Sequence, residues 1–113
     1  MSAFYSEEAF FDAWRRAVTL AGSRWFGDGK TAPENAGTKW DLAPRVEDIT
    51  EAMGWLSSGE AMLLAAMVSF YNSNPGGQML RERDAEGLSD IAASLDEPRR
   101  RVLADLLISY PGW

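Results

Sequence analysis

Apolar positions recur at helical spacing along most of the chain, and no stretch shows a strand-like alternation. The clearest helix starts at Ser6, a good N-cap, with Glu7 and Glu8 suited to the positive end of the helix dipole. Phe10, Phe11, Trp14, Ala17, Val18, Ala21 and Trp25 then share one face, and Asp12, Arg15, Arg16 and Thr19 share the other. Gly27 is its expected terminator. A second helix is predicted over residues 44–54, with Val46, Ile49, Met53 and Leu56 inward and Glu47, Asp48 and Glu51 outward. Ser57 and Glu60 form a capping-box pair ahead of a third helix, AMLLAAMVSFY. That run is apolar on nearly every side, which predicts the buried centre of the domain.

The dense turn chemistry of Asn72-Ser73-Asn74-Pro75-Gly76-Gly77 should end the third helix. Residues 78–84 read either as a short extended piece or as a turn of helix. A fourth helix is expected over 85–95, with Leu88, Ile91, Ala92 and Leu95 inward. A fifth starts at Asp96, with Pro98 in its first turn and Val102, Leu103, Leu106, Leu107 and Tyr110 inward, and Pro111-Gly112 stops it. The expected fold class is therefore all-α. It is a compact single domain over residues 1–113, with four to five helices, a long loop after the first and a central apolar helix. The loop, 27–43, carries Gly27, Gly29, Pro33, Asn35 and Gly37, and Trp40 and Leu42 are expected to pin its far end to the core. An internal hairpin there is left open. Loops of this length are often functional.

Composition narrows the chemistry. The 113 residues include no cysteine and no histidine. Disulfides, Cys/His zinc sites, Cys nucleophiles and His-dependent triads or bases are thereby excluded. The chain has 11 Lys+Arg against 17 Asp+Glu, a net charge of −6. Such a chain repels nucleic-acid phosphates and anionic lipid, and attracts a basic protein surface. The start of the chain lacks the basic region and apolar run of a signal peptide. The longest apolar stretch, 61–68, is far short of the about 20 residues a membrane span needs. Cytoplasmic location is the expectation.

Carboxylates are the only plentiful reactive groups that remain. Glu47, Asp48 and Glu51 are neighbours on one helix face, where a solvated or partner-binding role suits them better than catalysis. No acidic run matches a calcium-binding loop. Gly27-Asp28-Gly29-Lys30-Thr31 is superficially like the tail of a phosphate-binding loop, but Asp28 stands after Gly27 and the preceding segment is helical. Arg99, Arg100 and Arg101 read as a salt-bridged surface. No catalytic residue, cofactor or metal is expected. Aromatics are abundant, with 5 Trp, 5 Phe and 3 Tyr. Most fall on predicted buried faces. Trp55 either turns into the core beside Leu56 or stands exposed among Glu47, Asp48 and Glu51 as an interface anchor. Trp113 likewise either folds back or is offered to solvent.

Leu56-Ser57-Ser58-Gly59-Glu60, Phe70-Tyr71-Asn72, Gly76-Gly77 and Tyr110-Pro111-Gly112-Trp113 resemble runs in small proteins carried by phages and mobile elements of bacteria. In size, acidity and lack of catalytic groups the chain also resembles the anti-CRISPR inhibitors, a functional class rather than one fold. The resemblance covers residues 56–113 and carries over no functional residue. It implies a protein that occupies a basic surface on a CRISPR effector. The leading expectation is thus a non-enzymatic inhibitor or adaptor. It would bind a basic protein surface through Glu47, Asp48, Glu51 and Trp55, without direct nucleic-acid or membrane contact. The alternatives are a carboxylate-dependent enzyme or nucleotide binder using the 27–43 loop, and a structural or regulatory homo-oligomer.

Overall fold

Ser6 opens the first helix, α1 (Glu7–Ala21), as its spacing predicts: the hydroxyl accepts the Ala9 N–H at 3.0 Å. The computed structural model describes residues 6–113, so the domain expected over 1–113 is described from Ser6 onward and its first five residues lie outside. Phe10, Ala13, Trp14, Ala17 and Val18 are buried on one face of α1. The helix ends at Gly22 rather than Gly27. Gly22 has a φ of 112°, where side chains are strained, and its N–H closes onto the Val18 carbonyl at 2.8 Å. A short 3₁₀ turn, Ser23–Trp25, follows. Trp25 still reaches the core, but from that turn and not from α1.

The 27–43 segment is more ordered than its composition suggests. A single antiparallel bridge, Phe26 to Pro44, closes its base. There the Gly27 N–H donates to the Ala43 carbonyl and the Arg45 N–H to the Trp25 carbonyl, both at 2.8 Å. This is a neck and not a hairpin. Two 3₁₀ turns, Pro33–Asn35 and Lys39–Leu42, fill the loop. Leu42 is fully buried, and its carbonyl accepts the Trp14 indole N–H at 2.9 Å. Trp40 does not pin the loop to the core as expected: it is 58% exposed and lies edge-on to Tyr71 and Trp113.

The second helix, α2 (Val46–Ala52), is shorter than 44–54 but presents the predicted stripe, with Ile49 and Met53 buried. The third, α3 (Ser58–Tyr71), carries the expected reciprocal cap: the Ser57 N–H donates to Glu60 Oε1 at 3.0 Å, and the Glu60 N–H to the Ser57 hydroxyl at 3.3 Å. The Ser57 hydroxyl and N–H hold the Glu60 carboxyl below its ordinary value. Every residue from 61 to 68 is buried, so α3 is the centre of the fold.

The turn expected at 72–77 is instead the start of a further helix, α4 (Ser73–Glu82), capped by Asn72, which also absorbs most of the ambiguous 78–84 stretch. Pro75 is tolerated because it falls in the first turn. Gly76 lies so close to α3 that an added Cβ would come within 2.3 Å of the Ser69 backbone. The turn-like composition thus serves a close helix–helix approach. The next helix, α5 (Leu88–Ser94), begins later than predicted, and Leu88 points outward at 78% exposure. Leu88 shares a face with Ile91, Ala92 and Leu95, but burial grows toward the C-terminal end of α5, where Ile91 and Ala92 are half-buried and the capping Leu95 is buried, and Leu88, at its first residue, stays in solvent.

The last helix, α6 (Glu97–Ser109), starts at the predicted Asp96 cap with Pro98 in its first turn. It lies along α1, where Arg16 meets Asp105 at 3.6 Å. Leu106 and Ser109 face inward and Leu107 does not, being 58% exposed. Leu107 sits about 100° round the helix from Leu106, so the face turned toward α1 excludes it. Tyr110 is at the margin of the core, its hydroxyl donating to the Phe70 carbonyl at 3.1 Å. Trp113 folds back, with ring centroids 4.8 Å from Trp14 and 5.2 Å from Tyr71. The described residues form six α-helices with no strand, and none of these helices is long and apolar enough to cross a membrane.

Candidate interaction surface

The predicted contact residues lie together. Glu47, Asp48 and Glu51 are all exposed on α2, three and four positions apart, as their spacing requires. Trp55 follows at 64% exposure. Of the two readings of Trp55, the structure takes the outward one. Its N–H donates to the Ala52 carbonyl at 3.0 Å, which extends the helical turn past Gly54, while Leu56 tucks against the core. The Arg83 guanidinium, from the end of α4, donates to the carbonyls of Met53 and Leu56. It ties down both sides of the turn that displays Trp55.

The surroundings of Trp55 are not purely acidic. Its ring centroid is 6.1 Å from that of Trp25, tilted by 46°. The Arg24 guanidinium sits 4.4 Å from the Trp25 ring and 6.0 Å from the Trp55 ring. Arg45 pairs with Asp48 at 2.8 Å. A cleft of about 370 Å³ runs between these groups, with Glu51 on its wall. Arg24, Trp25 and Arg45 were not foreseen as part of this surface. Residues 24 and 55 meet only through tertiary packing, and no local pattern announces that pairing.

The 27–43 loop borders a concavity of about 740 Å³, lined by Asp28, Asn35, Trp40, Asp41 and Arg45 among others. The Asp28 carboxylate accepts the N–H groups of Thr31 at 2.7 Å and Lys30 at 2.9 Å, and the Thr31 hydroxyl at 2.9 Å. The backbone donors of Thr31 and Lys30 chiefly hold its pKa down at about 2. A general acid needs the opposite shift. Thr31, committed to Asp28, is not arranged like a phosphate-loop hydroxyl. Asp41 accepts the N–H groups of Gly37 and Thr38. Among the described residues, no three acidic side chains converge as a metal site would require.

The arginine run is engaged internally. Arg99 pairs with Asp96 and Arg101 with Glu97, while Arg100 donates to the Ala92 and Leu95 carbonyls at the end of α5. This is the salt-bridged surface predicted for it. Lys39 is 4% exposed, its ammonium donating to Glu7 and to the Gly112 carbonyl, both at 2.9 Å. It fastens the 27–43 loop to α1 and to the Trp113 segment. Compared with known proteins, the chain matches no family model, no curated protein and no solved structure.

Proposed function

We propose that this protein is a non-enzymatic interaction module that binds a basic surface of another protein through α2 and Trp55. The observation that carries this reading is Trp55 itself: a large aromatic, 64% exposed, braced by Trp25 and by Arg83 on its turn, lining a cleft with Asp48 and Glu51 on the same exposed side of the chain as Glu47 of α2. Tryptophan is enriched among the residues that dominate binding energy. The neighbouring acids steer a basic partner and set its register. The narrower form of the reading is an inhibitor that covers the basic surface where a complex receives nucleic acid, as anti-CRISPR proteins do. The net charge of −6 supports it, because such a surface is built to attract polyanions.

The test is capture of partners from a bacterial host by the wild type, by Trp55→Ala and by the triple variant Glu47→Lys, Asp48→Lys, Glu51→Lys, followed by kinetics with the partner found. The partner should have a basic surface. The triple variant should associate at least about tenfold more slowly, and the difference should shrink at high salt. Trp55→Ala should mainly speed dissociation. Both variants should keep the wild-type fold, since exposed substitutions usually cost under about 0.5 kcal/mol each. Unchanged kinetics in both would place the interface elsewhere.

A further inference from the structure

The acidic face of α2 continues beyond the helix. Arg45 stands on the wall of three concavities: about 740 Å³ beside the 27–43 loop, about 310 Å³ beside Val46 and Glu47, and about 370 Å³ next to Trp55. Trp40 borders the first and Trp55 the last, and both are large exposed aromatics. Along this path lie five carboxylates, Asp28, Asp41, Glu47, Asp48 and Glu51, against the guanidinium groups of Arg24 and Arg45. Arg45 is already paired with Asp48. The loop carboxylates are held in place by backbone N–H groups and so need little reordering to receive a ligand.

We propose that this groove, from Trp40 past Arg45 to Trp55, takes an extended arginine- or lysine-rich segment of a protein partner. The proposal rests on the reading of α2 as the contact face. It adds the 27–43 loop to that face and gives the partner a form, a basic strand or loop rather than a flat basic patch. A flat surface would touch only the rims of these concavities, whereas a chain can enter them. The surplus of carboxylates matches cationic side chains, and aromatic rings as exposed as Trp40 and Trp55 attract a guanidinium. An extended chain rises about 3.3 Å per residue, so about ten residues match the 36 and 33 Å long dimensions of the molecule. A single nucleic-acid strand could stack on the same rings, but its phosphates would meet the carboxylates.

The probe is a fluorescein-labelled peptide of alternating arginine and glycine, about ten residues long, followed by fluorescence anisotropy. The wild type should bind it, more weakly as salt rises. Asp28→Asn with Asp41→Asn removes two charges yet keeps an acceptor oxygen at each position, and should weaken binding about fivefold. Asn35→Arg, an exposed change at the loop end of the groove, should also weaken it and serves if the double variant is poorly folded. Trp55→Ala should weaken it from the other end. A control pair, Asp84→Asn with Glu86→Gln, removes the same charge elsewhere and should leave binding unchanged. If Trp55→Ala weakens binding and neither loop variant does, the groove is wrong and the α2 reading stands. An equal loss in the control pair, or no peptide binding, also overturns the groove, while the kinetics of the α2 variants judge that reading separately. Tighter binding of labelled oligothymidine than of the peptide overturns both.

Discussion

Among the described residues, several side chains are held by backbone groups, as Asp28, Asp41 and Arg100 are. Asp28 shows the consequence most directly. Its carboxylate collects two backbone N–H bonds and one hydroxyl bond inside the loop, and its pKa falls from the ordinary 3.8 to about 2. Because the folded value is the depressed one, Asp28 supports the loop fully above pH 3.8, and that support is lost as the pH falls through about 2. A carboxyl-detected NMR titration should place its midpoint near 2, while Asp28→Asn should leave the loop amides insensitive over that range. A midpoint near 3.8 would mean that the bonds to Lys30 and Thr31 do not persist in solution. Lys39 follows a similar logic with an enclosed ammonium. A charge taken out of water needs partners, and Glu7 and the Gly112 carbonyl supply them.

Among the elements, the contact between α3 and α4 depends most on one residue type. Gly76 packs where any Cβ would overlap the Ser69 backbone, whereas a Cβ on Gly77 would meet only the tip of the flexible Arg81 side chain, at 3.3 Å. The two alanine substitutions should therefore have opposite signs. Gly77→Ala should stabilise by up to about 1 kcal/mol through helix propensity. Gly76→Ala gains the same propensity, but overpacking of about 1–3 kcal/mol outweighs it. Urea unfolding of both variants decides the matter, and equal shifts would place α4 farther from α3. Helix α4 was hidden in the sequence for the same reason. Asn-Pro-Gly-Gly favours a turn by local preference, and the Asn72 cap together with the close approach of Gly76 to Ser69 makes the helix the better choice. The start of α3 needed no such help, since Ser57 and Glu60 satisfy each other's end of the helix wherever it packs.

At the scale of the whole molecule, charge governs what the surface will accept. The net −6 is combined with internal use of the arginine run: Arg99 and Arg101 are paired with acids and Arg100 caps α5. No patch of unpaired cations remains there to neutralise phosphates. In a gel shift at moderate salt, the purified protein should retain neither duplex DNA nor RNA. A shift that weakens steeply as salt is raised would show that Arg99, Arg100 and Arg101 leave their internal partners.

The division between sequence and structure follows the range of the forces involved. Helical periodicity, end caps and an all-round apolar run are local, so the all-α class, the Ser6, Ser57 and Asp96 caps and the central position of α3 were legible residue by residue. The exposed Glu47, Asp48 and Glu51 were legible for the same reason. Long-range packing decided the rest. It ended α1 at Gly22, made a helix of residues 73–82, turned Leu88, Leu107 and Trp40 outward, and resolved the two open tryptophans, Trp55 to solvent and Trp113 to the core. It also brought Arg24 and Trp25 beside Trp55, and folded the 27–43 loop so that Asp28, Asp41 and Arg45 line one concavity. A pattern of apolar positions specifies which side of a helix is buried only to within the width of its stripe. Which residues at the edge of that stripe meet a neighbour is set by where the neighbouring element lies, and that is a property of the whole fold.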